Sequence, residues 1–361
     1  MRFFEFQEGL TVMDKIRIAI VGYGGMGSKH PKIMNGNEMV ECAGAYDIKP
    51  ERMEVARNDG FHTYDTMEDL LADPTVDVVT VAIPNDQHKD VCIRCMRAGK
   101  NVVCEKPVSM NSEELEEMIA VSKECGVLFT VHQNRRWDED YNIMKKIFDD
   151  NTLGRVFCIE SRVHGSRGIP GDWRNKKECG GGMVLDWGIH LFDQMFMIMG
   201  DRKVKSIFCK LSNVTNEDCD DGFKVIVEFE DDIQFHVEVG TSNFINLPRW
   251  YMLGENGSAI MEDWHNGKIV MVSDWENRDA VPVQTSAGWT KTMAPRTADT
   301  ITEYPLPEVD VTLKDYYRNI ARVVRGEESQ WITHEQMLRD MRFMEACFRS
   351  AEEKRVITDF E

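Results

Sequence analysis

Residues 16–21, Ile-Arg-Ile-Ala-Ile-Val, run directly into four glycines within Gly22-Tyr23-Gly24-Gly25-Met26-Gly27. A short apolar run with one charge reads as a strand buried on both faces, and that requires a parallel sheet covered by helices on each side. "MVECAGAYD" reads as the next strand and ends at Asp47, 20 residues after Gly27. At that spacing a carboxylate can accept hydrogen bonds from an adenosine ribose. The glycines let the backbone approach a pyrophosphate, and the start of the following helix offers N–H donors and a favourable dipole. A plain βα turn would also use glycines, but it does not require Asp47 at this distance. The expected helix covers Met26–Met34, with Pro31 inside it as a source of a kink.

The same alternation continues to residue 135. Pro50 suits a first helical turn, and Thr66 can cap "MEDLLAD". "VDVVTVAIP" is a strand, "HKDVCIRCMRAG" a helix stopped by Gly99, and "NVVCE" another strand; "NSEELEEMIAVSKECG" and "VLFTVHQ" complete the series. Repeated βαβ units of this kind imply a doubly wound parallel sheet over residues 14–135. From Gly154 the pattern changes to "RVFCIESRV", "VKSIFCKLSNV", "FKVIVEFE", "IQFHVEVG" and "RWYMLG", with a hairpin turn at Glu230–Asp232. A helix over Met183–Met199 interrupts these strands, and a Thr333/Gln336 capping box opens the last one. The fold class is therefore α/β: a Rossmann domain, then an α+β domain over 136–361 built on an open antiparallel sheet. Residues 1–13 read as a short arm before the first strand.

Composition sets limits on partners. A net charge of −19 opposes binding to nucleic acid or anionic membranes and favours a neutral small substrate. No apolar run reaches the ~20 residues of a membrane helix, and no signal-type segment opens the chain, so a cytoplasmic location is expected. Ten cysteines include a single CxxC, Cys92 to Cys95. With His88 one turn earlier a His-Cys-Cys metal site is conceivable, but helix packing by reduced thiols fits better, and no metal is expected.

Two further constellations carry chemistry. "CEKP", Cys104 to Pro107, ends a parallel strand, where ligands bind in open α/β sheets, so Lys106 faces the cleft or is a solvated surface lysine. In "GGGMVLDWGIHLFDQM", Asp186, His190 and Asp193 fall at i, i+4 and i+7 on one helical face, a candidate site or a hydrogen-bonded helix edge.

Together the GxGxxG, the "EKP" and the "GGGxxxDxGxHxxD" after "DWR" resemble the glucose–fructose oxidoreductase/inositol dehydrogenase/rhizopine-catabolism (Gfo/Idh/MocA) family, from Ile16 to the last helix. The resemblance implies NAD(P)-dependent oxidation or reduction of a sugar or cyclitol hydroxyl, and a homo-oligomer, tetramer or hexamer. It implies a catalytic set of Lys106, Asp186 and His190. His190 would be the acid/base with a pKa near neutrality, Lys106 would stabilise the alkoxide, and Asp186 would be the orienting charge partner. Cofactor contacts are implied for Gly22, Tyr23, Gly24, Gly25, Met26, Asp47, Arg52, Ile83, Pro84, Asn85, His88, Glu105, Lys106, Trp173 and Arg174. Substrate contacts are implied for Asn134, Arg135, Asp172, Trp173, Asp186 and His190. Asp47 would repel a 2′-phosphate and favours NAD, while Lys49 and Arg52 leave NADP open. Trp137, Tyr141, Trp173 and Trp187 suit stacking on a sugar. The expected reaction is oxidation of a ring hydroxyl of a sugar or glycoside, with C3 as one candidate. Inositol oxidation, an NAD-dependent glycosidase and a non-catalytic cofactor sensor are the alternatives.

Overall fold

The computed structural model describes residues 14–277, 281–290 and 293–360, so the expected arm over residues 1–13 lies outside the described residues. Its first half runs β1 Ile16–Val21, α1 His30–Met34, β2 Val40–Tyr46, α2 Pro50–Asn58, α3 Met67–Ala72, β3 Val78–Val81, α4 His88–Arg97, β4 Asn101–Cys104, α5 Ser112–Cys125 and β5 Phe129–Val131. The five strands pair in parallel in the order β2-β1-β3-β4-β5. Most of their residues are buried, and those of β3 and β5 without exception, as unbroken apolar runs require. The chain passes from β1 to β2 on one side and then crosses to β3 on the other side of β1, so a crevice opens at the carboxyl ends of the strands. Gly22, Ala82, Glu105 and His132 are the first residues beyond β1, β3, β4 and β5. The first helix differs from expectation. It begins at His30 rather than Met26, which puts Pro31 in its first turn, where a missing N–H costs nothing, so no kink arises.

The second half contains α6 Glu139–Asp149, β6 Val156–His164, α7 Ile189–Met199, β7 Val204–Ser212, β8 Gly222–Phe229, β9 Gln234–Gly240, β10 Trp250–Gly254, β11 Gly257–Met261, β12 Gly267–Val272, the small hairpin β13 Val283–Thr285 and β14 Gly288–Thr290, and β15 Ile301–Tyr304. Eight of these strands form one sheet in the order β15-β12-β11-β10-β6-β9-β8-β7. The β8–β9 hairpin turns at Glu230–Asp232 as the alternation predicts. The sheet is mixed rather than antiparallel throughout, because β6 and β9 run parallel. One face is apolar: Phe223, Val225 and Val227 of β8 and Phe235, Val237 and Val239 of β9 are buried, each contributing roughly 1.5–3 kcal/mol. That face packs on α7 and on the last helix. The expected single helix over 183–199 is in two parts, a π turn at Val184–Gly188 followed by α7.

After the sheet the chain returns to the nucleotide-binding half. In α8 Lys314–Val324, the Tyr316 hydroxyl donates to the Val131 carbonyl at 3.2 Å, and Tyr317 reaches His30. The helix α9 His334–Glu353, opened by the Thr333/Gln336 box, docks on α5, where Ser112 Oγ donates to Glu345 at 2.8 Å. No helix among the described residues is long and apolar enough to cross a membrane.

Candidate active site

The glycine loop is built for close approach. Gly22 has φ +91°, and a Cβ there would collide with the Ala82 carbonyl; a Cβ on Gly27 would collide with the Gly22 carbonyl. Gly24 and Gly25 face open space, so a ligand can lie directly on their backbone. Asp47 closes the loop. Its Oδ2 accepts the Tyr23 N–H at 2.7 Å and its Oδ1 the Lys49 N–H at 2.9 Å, fixing a carboxylate where an adenosine ribose would sit. These features fit a bound dinucleotide. The Tyr23 side chain does not take part: it is buried, its hydroxyl donates to Asp59 at 3.0 Å, and burial with that carboxylate pushes its pKa up. Met26 is partly buried in the turn, and Arg52 is exposed on α2.

Across the crevice, after β3, Ile83 is partly buried and Pro84 exposed, and Asn85 Nδ2 donates to the Gly180 carbonyl at 3.0 Å. That bond ties the β3 loop to the triple-glycine segment. His88 is fully buried, with its ring nitrogens 2.9 and 3.0 Å from the carbonyls of Pro107 and Ile83. It clamps the two loops together and offers neither a cofactor contact nor a metal ligand. Cys92 and Cys95 are buried, as helix packing requires.

Lys106, the residue after Glu105, reaches the second half of the chain. Its ammonium donates to the Asp186 backbone carbonyl at 2.9 Å and to Asp186 Oδ1 at 3.0 Å. Arg174 Nε lies 3.5 Å from Asp186 Oδ2, and Arg174 Nη1 donates to Asp172 at 2.8 Å. Burial opposes ionisation of Asp186, but Lys106 and Arg174 outweigh it and hold the carboxyl below its usual range. Asp186 therefore partners Lys106 and Arg174, not His190. Trp173 carries the Arg174 guanidinium 4.5 Å above its ring.

Asp186 lies within a π turn and His190 in the first turn of the helix that follows it. The wider turn, which closes over one more residue than an α-helical one, carries Asp186 against Lys106, and α7 then begins with His190 buried. The turn is capped by Asp220, whose Oδ2 accepts the Val184 N–H at 2.9 Å, and burial pushes that carboxyl up to about 7. Gly182 has φ +103°, and a Cβ there would collide with Asp220. His190 lies far below its usual pKa, not near neutrality. Burial is the main cause, reinforced by Lys106 and Arg135, so the ring is neutral and keeps one nitrogen lone pair free. Asp193 leaves the expected common face: Arg136 holds it at 2.6 and 2.8 Å.

Beside His190, Arg135 lies 4.3 Å over the Trp187 ring and donates to Asp138 at 2.8 Å; Asn134 precedes it in the same short turn. Trp264, on the β11–β12 turn, completes this wall 6.3 Å from Trp187. Of the aromatics read as stacking groups, Tyr141 is buried and Trp137 stacks on Trp331, which leaves Trp173 and Trp187. The Glu105 carboxylate is turned into the interior. Its Oε1 lies 3.0 Å from His30 Nε2 and 2.8 Å from His132 Nδ1, in a buried cluster that sequence reasoning missed. A histidine just after a glycine loop, with a second just after a parallel strand, was the available signal.

Comparison with known proteins agrees with this geometry. Residues 16–133 match the model for an oxidoreductase family with an NAD-binding Rossmann fold, and residues 141–260 match the GFO/IDH/MocA C-terminal domain. The crystal structure of an NAD-binding protein from Listeria innocua is 41% identical with a TM-score of 0.86, covering 96% of this chain and 98% of that one. The scyllo-inositol 2-dehydrogenase (NADP(+)) IolW of Bacillus subtilis is 27% identical over 357 residues, 97% of this chain and 98% of that protein. The myo-inositol 2-dehydrogenase of Thermotoga maritima is 29% identical over 208 residues, 56% of this chain and 60% of that protein. With both halves matched and the glycine loop in place, the chain belongs to the GFO/IDH/MocA family of NAD(P)-dependent oxidoreductases.

Proposed function

We propose that this protein oxidises a secondary hydroxyl on the ring of an uncharged sugar or cyclitol to a ketone. The observation that carries the reading is the Lys106–Asp186 pair at the mouth of the crevice, with His190 buried beside it. An ammonium has three hydrogens, and two of them engage Asp186. The third is left for a substrate oxygen, where it stabilises the alkoxide as the O–H bond weakens. Neutral His190 takes the hydroxyl proton. The nicotinamide ring, when bound, supplies the hydride acceptor.

Charge around the site supports a neutral substrate. Lys106 and Arg174 are matched by Asp186 and Asp172, and Arg135 by Asp138, so each of these three cations already faces a carboxylate. The inositol dehydrogenases among its relatives favour a cyclitol. Oxidation at C3 of a hexose or glycoside is the second substrate class the same chemistry admits.

The test is a panel of inositols, hexoses and glycosides followed by reduced-cofactor absorbance, with ketones and any released aglycone identified by mass and NMR. Lys106→Ala and His190→Ala should each lower kcat at least ~10²-fold while NAD affinity holds. Near-normal turnover in both folded variants would place the chemistry elsewhere.

A further inference from the structure

Behind Lys106 lies the buried Glu105 cluster, which the reaction just described does not use. Glu105 Oε2 accepts the Lys106 backbone N–H at 3.2 Å, while Oε1 faces His30 Nε2 at 3.0 Å and His132 Nδ1 at 2.8 Å. Burial resists ionisation of Glu105, but the two imidazoles outweigh it and keep the carboxyl far below its usual range. An ionised carboxylate only accepts hydrogen bonds, so both facing ring nitrogens carry hydrogens. His30 Nδ1 is then the acceptor for the Tyr317 hydroxyl 2.5 Å away. In the neutral ring of His132 the hydrogen sits on Nδ1, which leaves Nε2 bare. That nitrogen is buried and has no partner.

This is a carboxylate-backed imidazole with its free lone pair turned into the protein, an arrangement suited to receiving a proton. His190 supplies a counterpart, because its Nδ1 is also buried without a partner. Glu105 and His132 both act electrostatically on His190, so the two rings share one stretch of interior. A single water bonded to both would satisfy these two ring nitrogens.

We propose that His132, backed by Glu105, is a relay that receives through one buried water the proton His190 takes from the substrate hydroxyl. The inference rests on the reading of the chain as a ring-polyol dehydrogenase. In the relay the alcohol O–H bond breaks toward His190 Nε2. His190 releases its Nδ1 hydrogen to the water, and the water passes a hydrogen to His132 Nε2. Only a proton moves along this path, while both electrons leave the carbon with the hydride. The new charge on His132 is balanced by Glu105, and His30 and Tyr317 fix that carboxylate in place. His132 is thus a positioning residue acting through His190. The groups facing it are Glu105 from the β4 end, His30 from α1, and Tyr316 and Tyr317 from α8, and its charge acts on His190 of α7.

Nitrogen-15 NMR of histidine-labelled full-length protein tests the geometry directly. His132 should be the Nδ1–H tautomer and His30 the Nε2–H tautomer, and an Nε2–H tautomer at His132 overturns the proposal. Kinetics test the role. His132→Gln should lower kcat about 10- to 100-fold at pH 7, with KM and NAD affinity held. Its rate should recover as pH rises and bulk base takes up the proton, and its solvent deuterium isotope effect should increase. A folded His132→Gln variant whose pH profile and isotope effect parallel the wild type overturns the relay, whatever its Tm. If that variant does not fold, Tyr317→Phe, which removes only the hydroxyl, should shift the profile in the same direction by a smaller amount, and an unchanged profile overturns the relay. Should the wild type oxidise no ring polyol, the functional reading fails, and the tautomer of His132 still decides whether the bare nitrogen exists.

Discussion

Replacing Asp220 with asparagine should make the protein more stable at alkaline pH and leave its stability in acid unchanged. Asp220 accepts the Val184 N–H at the start of the π turn, in a site so buried that its pKa rises from the ordinary 3.8 to about 7. In the unfolded chain the carboxyl loses its proton near 3.8, whereas in the fold it does so only near 7. Between those values the unfolded state binds fewer protons than the native state, so stability falls as pH rises, by roughly 1.4 kcal/mol per pH unit. Above pH 7 the accumulated loss is about 4 kcal/mol. Asparagine keeps an oxygen for the Val184 N–H and carries no charge, so Asp220→Asn escapes this loss. An unfolding entropy of about 2.1 cal/mol/K per residue gives the chain about 0.8 kcal/mol/K, so the variant should melt about 5 °C higher at pH 8. Near pH 4 the two Tm values should converge. Scanning calorimetry of both proteins from pH 4 to 8 is the assay. A Tm difference independent of pH, or a variant less stable at pH 8, would refute the burial argument.

Three further outcomes follow from geometry already described. Asp47→Ala should narrow a preference for NAD over NADP, and a wild-type preference for NADP in calorimetric titration would contradict the role given to that carboxylate. Arg136→Met leaves Asp193 beside the buried Asp340 without its cation, costing about 3–5 kcal/mol or ~4–6 °C in Tm; an unchanged melt would show the ion pair to be dispensable. The outer face of the eight-stranded sheet exposes Phe157, Phe208 and Ile226, so a homo-oligomer through that face is expected. Light scattering that returns one 41.6 kDa chain at micromolar concentration would exclude it.

The parallel sheet was legible because its strands are continuous apolar runs, and Gly22 to Asp47 because spacing alone places a carboxylate beyond the second strand. Lys106 and Asp186 were legible by resemblance, but their mutual contact was not, since it joins residues 80 positions apart. The helical-face argument for Asp186, His190 and Asp193 assumed 3.6 residues per turn. The π turn breaks that period, and Arg136 claims Asp193. Pro31 misled because a proline four residues past a glycine loop looks interior until the helix proves to start at His30. The parallel pairing of β6 with β9 leaves no local signature, because strand alternation reports which face is buried and not which neighbour lies beside it. His30, Glu105 and His132 are each unremarkable alone and meaningful only once the sheet brings three strand or loop ends together.

The return of α8 and α9 to the nucleotide-binding half bears on how the protein can be taken apart. A fragment ending at residue 135 would keep all five parallel strands. It would lose Tyr317 from His30, the Tyr316 hydroxyl from the Val131 carbonyl and Glu345 from Ser112. Its histidine–glutamate cluster and the flank of α5 would then open to water, so the half that looks self-contained along the sequence is completed by the end of the chain. Grafting this nucleotide-binding module onto another protein therefore means carrying residues 314–353 with it, across a loop that spans the whole second sheet.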